Sequence, residues 1–213
     1  MGPPGSGKGT QAEFLARYFG YEHYSTGHLL RSMIKDLKAT PEERQEAEKI
    51  QHGRMVDDWL IFRLVFAAIE HDLKNKKGIV LDGAIRTLAQ AKGFAQFFTN
   101  HKLWPQVRAV WIDLPEQETI NRSVRRRICL DCNFPLPYSK ANEKLKKCPK
   151  CNGWLVRRSD DKLSVVKKRL KAQGYKAQKP VLDFFKKRRI LVQVDGAPVI
   201  KKVSQAILGE LKK

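Results

Sequence analysis

Two groups of residues have types and spacing that can do chemistry. Gly2-Pro3-Pro4-Gly5-Ser6-Gly7-Lys8-Gly9-Thr10 supplies glycines that let backbone N–H groups approach anionic oxygens, and a lysine that reaches further out. Such a loop at the start of a helix is a phosphate cradle. The generic pattern places Ser or Thr directly after the lysine, whereas here Gly9 intervenes before Thr10. The second group is Cys129-x2-Cys132, fifteen intervening residues, then Cys148-x2-Cys151. Paired C-x-x-C knuckles suit Zn²⁺ held tetrahedrally by four thiolates. Two disulfides are the competing reading, which a reducing cytosol disfavours.

Elements must hold these groups in place. Phe14, Leu15, Tyr18 and Phe19 recur at helical spacing, so the glycine loop opens a helix over Gln11 to Phe19. Polar, helix-forming stretches fill residues 27–74, where Thr40-Pro41-Glu42-Glu43 is a helix start. Gly78 to Leu81, Val107 to Ile112 and Ile190 to Val194 are brief β-rich apolar runs. Strands alternating with helices predict an α/β fold around a mostly parallel sheet. Asp113-Leu114-Pro115 closes the second run, and the helix expected next carries Arg122 and Arg126 four residues apart, on one face. Between Ile128 and Ser159 the composition turns to Cys, Pro, Asn and Lys without periodicity, marking an inserted lobe too small to hold itself together by burial, which zinc would stabilise. Helical patterning resumes at Asp160 and continues through Leu182 to Lys187 and Val199 to Leu211.

With 213 residues, 42% hydrophobic and 30% charged, the chain reads as one globular domain with insertions. No apolar run approaches the roughly 18 residues that span a bilayer, and no leader pattern opens the sequence, so a cytoplasmic protein without membrane contact is expected. The net charge of +20 clusters at Arg125 to Arg127, Lys144 to Lys150, Lys167 to Lys171 and Lys186 to Arg189. Such clusters suit polyanions, either nucleotides or nucleic acid, though a solvated lysine-rich surface also accounts for them.

Taken in order, these motifs resemble the adenylate kinase family, in its long-lid, zinc-binding form, along nearly the whole chain. The resemblance implies a P-loop-type parallel sheet with helices on both faces, with a core at 1–24, 75–127 and 160–213, an AMP-binding helical insertion at 25–74 and a zinc-ribbon lid at 128–159. It also implies a monomer that uses ATP, AMP and Mg²⁺. Gly5, Ser6, Gly7, Lys8, Gly9 and Thr10 are similar to the family's ATP phosphate loop. Ser25-Thr26-Gly27-His28-Leu29-Leu30-Arg31 resembles the acceptor segment, with Thr26 near adenine and Arg31 on the AMP phosphate. Gly53-Arg54-Met55-Val56 resembles the stretch whose backbone lines the same pocket. Asp82-Gly83-Ala84-Ile85-Arg86-Thr87 with Gln90 resembles the Asp-Gly-x-Pro-Arg-Thr motif, which implies Asp82 near magnesium, Arg86 on phosphate and Gln90 on the adenine edge. Arg122 and Arg126 resemble the arginines that clamp ATP. Arg158 and Arg169 resemble those at the transfer point, with Asp160 and Asp161 poised to pair with them. Counting from Cys132 puts Pro135 and Leu136 against the ATP base, and Pro198 falls at a backbone contact to adenine. The electrostatic work thus falls to Lys8, Arg86, Arg122, Arg126, Arg158 and Arg169, whose forks suit phosphate and whose chemistry needs no covalent nucleophile.

Three departures carry expectations of their own. Family members lead into the glycine loop through a buried apolar strand, whereas only Met1 precedes Gly2, so the sequence is expected to start at an internal Met of a longer chain. His28 stands where the family usually has Asp, and Ile85 where it has Pro; both predict lower turnover. Two other functions compete: a kinase for CMP or UMP, and a low-activity homologue whose zinc ribbon and basic surface bind nucleic acid.

Overall fold

The computed structural model describes every residue except Lys76, Asn133, Lys140 and Lys213. Helix α1, Lys8–Phe19, starts at Gly7 (φ 89°) and stops at Gly20 (φ 68°), whose N–H returns to the Ala16 carbonyl. Only glycine adopts such values without strain. Strand β1, Glu22–Ser25, runs directly into α2, Thr26–Ile34. Helix α3, Pro41–Glu48, begins at the predicted signal: the Thr40 hydroxyl accepts from Glu43 N–H while the Glu43 carboxylate accepts from Thr40 N–H. Helix α4, Asp58–Lys74, leads to β2, Ile79–Asp82. Helix α5, Leu88–Asn100, carries a second capping box, Thr87 with Gln90.

Next come β3, Ala109–Asp113, and α6, Glu116–Arg125. Strands β4 (Arg127–Cys129), β5 (Pro135–Leu136) and β6 (Leu155–Arg157) form an antiparallel sheet in the order β5-β4-β6, and this small sheet carries the cysteine knuckles. Helices α7 (Leu163–Gln173) and α8 (Tyr175–Lys187), strand β7 (Leu191–Asp195) and helix α9 (Ile200–Leu211) complete the chain.

The α/β class and the parallel pairing match the sequence reading, but the parallel strands form two pairs rather than one sheet. β1 pairs with β2, Glu22 opposite Ile79, and β3 pairs with β7, Ala109 opposite Leu191. Glu22 N–H donates to Gly78 C=O, so by the alternation of a strand Ile79 and Leu81 turn their peptide groups the other way. On the facing edge, the Met1 amine donates to Val110 C=O and Met1 C=O accepts from Ile112 N–H at 3.0 Å. Between the two edges lies a cleft of about 510 Å³, with Leu15, Ile69, Phe94, Phe185 and Ile207 in its wall.

Three apolar clusters flank these strands. The largest joins Leu30, Leu60, Val65, Ile69, Phe94 and Phe97, unifying α2, α4 and α5 over the β1–β2 pair. Val181, Phe184 and Phe185 of α8 pack with Ala109 and Ile190. Leu15 of α1 meets Ile112, Val194, Val203 and Ile207. The two parallel pairs, the small antiparallel sheet and the glycine loop ahead of α1 all contribute residues to the wall of one central cavity or to the loops that line it. Among the described residues no helix is long and apolar enough to cross a membrane.

A cation-lined cavity and a four-cysteine cluster

The central cavity, about 870 Å³, lies at the upper end of the range for small-molecule sites. The glycine loop forms one wall, from Gly5 to Thr10. Gly5 holds φ 81°, and a Cβ there would stand 2.6 Å from Ser123 Oγ and 2.8 Å from the Thr119 carbonyl, so the loop lies flush on α6. At Gly7 the φ of 89° excludes other residues while open space lies beside it, leaving the N-terminus of α1 accessible to an anion. Buried Ser6 Oγ and Asp82 Oδ1 have no hydrogen-bond partner among the described residues, and both face this loop's surroundings.

Seven half-buried cations share the cavity wall, with Arg54, Lys150 and Lys201 exposed at its edge. Lys8, Arg31, Arg86, Arg122, Arg126, Arg158 and Arg169 come from α1, α2, the loop after β2, α6 and its end, the segment after β6, and α7. Burial, with Arg86, Arg169 and Arg126 nearby, lowers the Lys8 ammonium to about 7 against the opposing pull of Asp82. Burial and the neighbouring Arg158 lower Arg31 to about 9, and burial with Arg126 lowers Arg169 to about 10. The set therefore lacks negative charge. Two aspartates supply part of it: Asp161 accepts from Arg126 Nε and Nη2 at 2.5 and 2.6 Å, and Asp160 accepts from Arg158 at 2.9 and 3.0 Å and from Arg169 at 3.3 Å. Burial alone would raise the Asp160 carboxyl, but Arg158, Arg169 and Arg31 hold it below the usual range. The pairing of Asp160 and Asp161 with arginines follows the sequence expectation.

One geometric expectation fails. Helix α6 ends at Arg125, and Arg126 adopts extended backbone (φ −69°, ψ 153°) as the chain enters β4, so Arg122 and Arg126 do not share a helical face. Pairing of β4 with β5 and β6 overrides the helical pattern. Arg122 Nη atoms instead donate to the Gly196 and Ala197 carbonyls at 2.8 Å, tying α6 to the loop after β7, and Arg126 turns to Asp161. Both still line the cavity.

The remaining expected residues divide in two. Arg54, Gly83, Pro135, Leu136 and Pro198 stand in the cavity wall. Thr26, Val56, Ala84 and Gln90 are buried, and neither they nor Met55 and Ile85 border it. The Gln90 amide is committed: its Oε1 accepts from Arg86 N–H at 2.7 Å and Thr87 N–H at 3.2 Å, and its Nε2 donates to Asp58 Oδ1 at 2.8 Å. The Arg86 carbonyl is held from the other side by Gln178 Nε2 at 3.4 Å, and Arg86 Nε donates to Gly83 C=O at 2.9 Å. These bonds fix the loop where Ile85 stands. Met55 Sδ accepts from Gln173 Nε2 at 3.5 Å. His28 borders the cavity, where burial, Arg31 and His23 lower its pKa and favour the neutral ring. His23 also borders it, with buried Nε2 unpartnered among the described residues; it lies on β1, which the sequence reading did not find.

The four cysteine Sγ atoms lie within 4.8 Å of one another, Cys129 to Cys151 at 3.4 Å and Cys132 to Cys148 at 3.7 Å. A tetrahedron of Zn–S bonds of about 2.3 Å has edges near 3.8 Å, whereas a disulfide needs about 2.05 Å. All four are free thiols. The Cys132 backbone N–H, against the cost of burial, lowers the Cys129 thiol to about 7, whereas, against the Gly153 N–H, the neighbouring Cys132 and Cys129 sulfurs push Cys151 up to about 12, so ionising all four together takes a bound cation. The donor set therefore fits zinc.

The chain matches known proteins over this whole arrangement. The family model described as adenylate kinase matches residues 1–190. The adenylate kinase of Chlamydia caviae is 37% identical over 209 residues, covering 98% of this chain and 94% of that protein. That of Archaeoglobus fulgidus is 34% identical over 219 residues, covering 100% and 97%, and that of Chlamydia trachomatis serovar D is 32% identical over 224 residues, covering 99% and 88%. With a family match over most of its length and relatives spanning nearly all of both sequences, this chain belongs to the adenylate kinase family.

Proposed function

We propose that the chain transfers the γ-phosphoryl group of ATP to AMP, reversibly and with Mg²⁺, giving two ADP. One observation carries the reading: seven half-buried cations converge on the cavity against only four carboxylates that act on them among the described residues, Asp82, Glu118, Asp160 and Asp161, so the cations are in excess and polyphosphate is the missing counter-charge. Phosphoryl transfer asks for alignment and charge neutralisation rather than a nucleophile. In this reading the glycine loop and Lys8 take the β- and γ-phosphates, Arg31 and Arg86 the acceptor phosphate, and Arg126, Arg158 and Arg169 the oxygens in flight. Arg122, fixed by two carbonyls, backs the donor. Thr10 and Asp82 would hold Mg²⁺, which when bound neutralises the phosphate oxygens; the unpartnered Asp82 Oδ1 supports that role.

Residues 25–74 then form the acceptor insertion and 128–159 a lid held by one structural Zn²⁺ on Cys129, Cys132, Cys148 and Cys151. Pro135 and Leu136 of the lid, with Pro198 opposite, would pack the ATP base, and closure would exclude water. Arg54, Met55, Val56, Thr26 and the 83–86 loop would enclose AMP. Free thiols suit a reducing compartment, and we place a monomer in the cytoplasm.

The test is ADP formation from ATP with AMP, CMP, UMP and GMP in turn. AMP-dependent ADP production with at least tenfold preference over the others is expected. Preference for CMP or UMP would move the acceptor assignment to a pyrimidine kinase, and no turnover with any acceptor would defeat the enzyme reading.

A further inference from the structure

Half of the net charge of +20 lies in residues 162–189, which hold eight lysines and three arginines against one acid, Asp183. These residues form the α7–α8 hairpin, joined at Gly174. Its inner faces are spent on the core: Val166 and Leu170 of α7, and Val181, Leu182, Phe184 and Phe185 of α8, are all buried. Its outer faces present Lys167, Lys168, Lys171, Lys176, Lys186 and Lys187, all exposed. Asp183 is ion-paired to Lys179 at 2.7 Å, and Lys179, with Lys187 and Lys186, holds its carboxyl below the ordinary range, so these side chains share one positive field. None of the six outer lysines borders the central cavity, to which the hairpin contributes Arg169 and Gln173.

Like charges concentrated on one surface repel each other, and a polyanion relieves that repulsion by contacting many of them at once. Two observations select the polyanion. Leu163 and Tyr175 are the only large apolar residues exposed on the hairpin, so it lacks the apolar face with which an amphipathic helix enters a lipid surface. Tyr175, 52% exposed at the hairpin turn between Lys171 and Lys176, has its ring braced edge-on by Trp111 at 6.2 Å and offers an aromatic platform amid cations. Stacking on an aromatic ring beside a track of charges is how single strands are held without regard to sequence. Lysines, as point charges on flexible stems, suit the phosphate backbone, which carries no sequence information.

We infer that the outer face of the α7–α8 hairpin binds single-stranded nucleic acid through its phosphate backbone, without sequence selection and apart from the nucleotide cavity. The surface is a second site, so the chain can hold a strand and its nucleotides together.

Fluorescence anisotropy of a labelled mixed-sequence 20-nucleotide RNA tests this with the full chain, in the presence and absence of saturating ATP and AMP. Binding is expected to persist with nucleotides present and to weaken with KCl along a log–log slope of about −3, as four or five released counterions give for a single strand. K167E/K168E/K171E and K176E/K186E/K187E should each lower affinity at least tenfold, and Tyr175→Ala about fivefold or more, with ADP production unchanged within twofold. The corresponding Lys→Gln sets serve if charge reversal impairs folding, and should show the same loss. Unchanged affinity in both sets, full displacement of RNA by ATP, or binding to anionic phosphatidylglycerol vesicles but not RNA would overturn the inference.

Discussion

At the scale of residues, Lys8 ties the site's electrostatics to pH. In the free protein its ammonium loses a proton near pH 7, because burial among arginines disfavours the charge. Bound phosphate favours the ammonium, so the pKa rises on binding and ATP is taken up together with a proton between pH 7 and that higher value. Affinity for ATP should therefore fall as pH rises from 7.5 to 9, towards tenfold per unit at the steepest. Calorimetry in buffers of different ionisation enthalpy should show proton uptake in this window and none in Lys8→Met; equal uptake in both would remove Lys8 as its source. Asp58 acts through another residue. Its carboxylate takes the Gln90 Nε2, whose amide oxygen takes the backbone N–H groups of Arg86 and Thr87. Asp58→Ala leaves a buried donor unsatisfied, at a cost of about 1–3 kcal/mol, and loosens the Arg86 loop. A lower Tm with a raised KM for AMP and a KM for ATP within twofold of the parent is the expected pattern; an unchanged KM for AMP would confine Asp58 to stability. Thr87-x-x-Gln90 is a capping box visible in the sequence, and a polar amide at that position suits a helix cap and an adenine edge alike, so the bonds that Gln90 makes become legible only in the fold.

At the scale of elements, what was legible followed from local rules and what was not followed from pairing. Helix α3 was readable because Thr40, Pro41 and Glu43 are start signals in themselves, and α1 because its apolar residues recur at helical spacing behind a glycine loop. Strand β1 was not: Glu22-His23-Tyr24-Ser25 has no apolar alternation, is four residues long, and exists because it pairs with the readable β2. The end of α6 was equally hidden, since Asn121 to Arg127 contains neither Gly nor Pro and the helix stops where β4 finds its partners. The cysteine ribbon was legible because metal ligands must come in fixed spacing. Its small sheet buries little beyond Cys129, Leu136 and Cys148, so a metal should contribute much of its stability. Purified protein should hold one zinc per chain by atomic emission, and chelation or Cys148→Ala should lower Tm by several degrees and reduce turnover. A chain without zinc and with unaltered Tm on chelation would refute the metal site.

At the scale of the whole molecule, the two parallel pairs stand apart, with a cleft of about 510 Å³ between them. Ile79 and Leu81 turn peptide groups towards it, Val110 and Ile112 do so from the opposite edge, and Met1 reaches only the second of these. Each edge sits on its own apolar cluster, β1–β2 on the α2–α4–α5 core and β3–β7 on the clusters built with α1, α8 and α9. Strand edges separated by one apolar cleft can both be satisfied by a single extended segment running parallel to them. A variant carrying five residues of alternating Val and Ile ahead of Met1 would supply one. Burial of those side chains, less the entropy of ordering them, leaves a net gain of about 2–4 kcal/mol, which for a chain of this size raises Tm by roughly 5–15 °C. Hydrogen exchange should slow at Leu81 and Val110 together, because one inserted strand protects both edges. A Ser/Gly extension of equal length provides the comparison, gaining neither stability nor protection. If the apolar extension left Tm and both amides unchanged, the halves would be coupled through their helices alone, and the glycine loop, seated between β3 and α1, would owe its position to α6 and Ile112 rather than to any strand in the cleft.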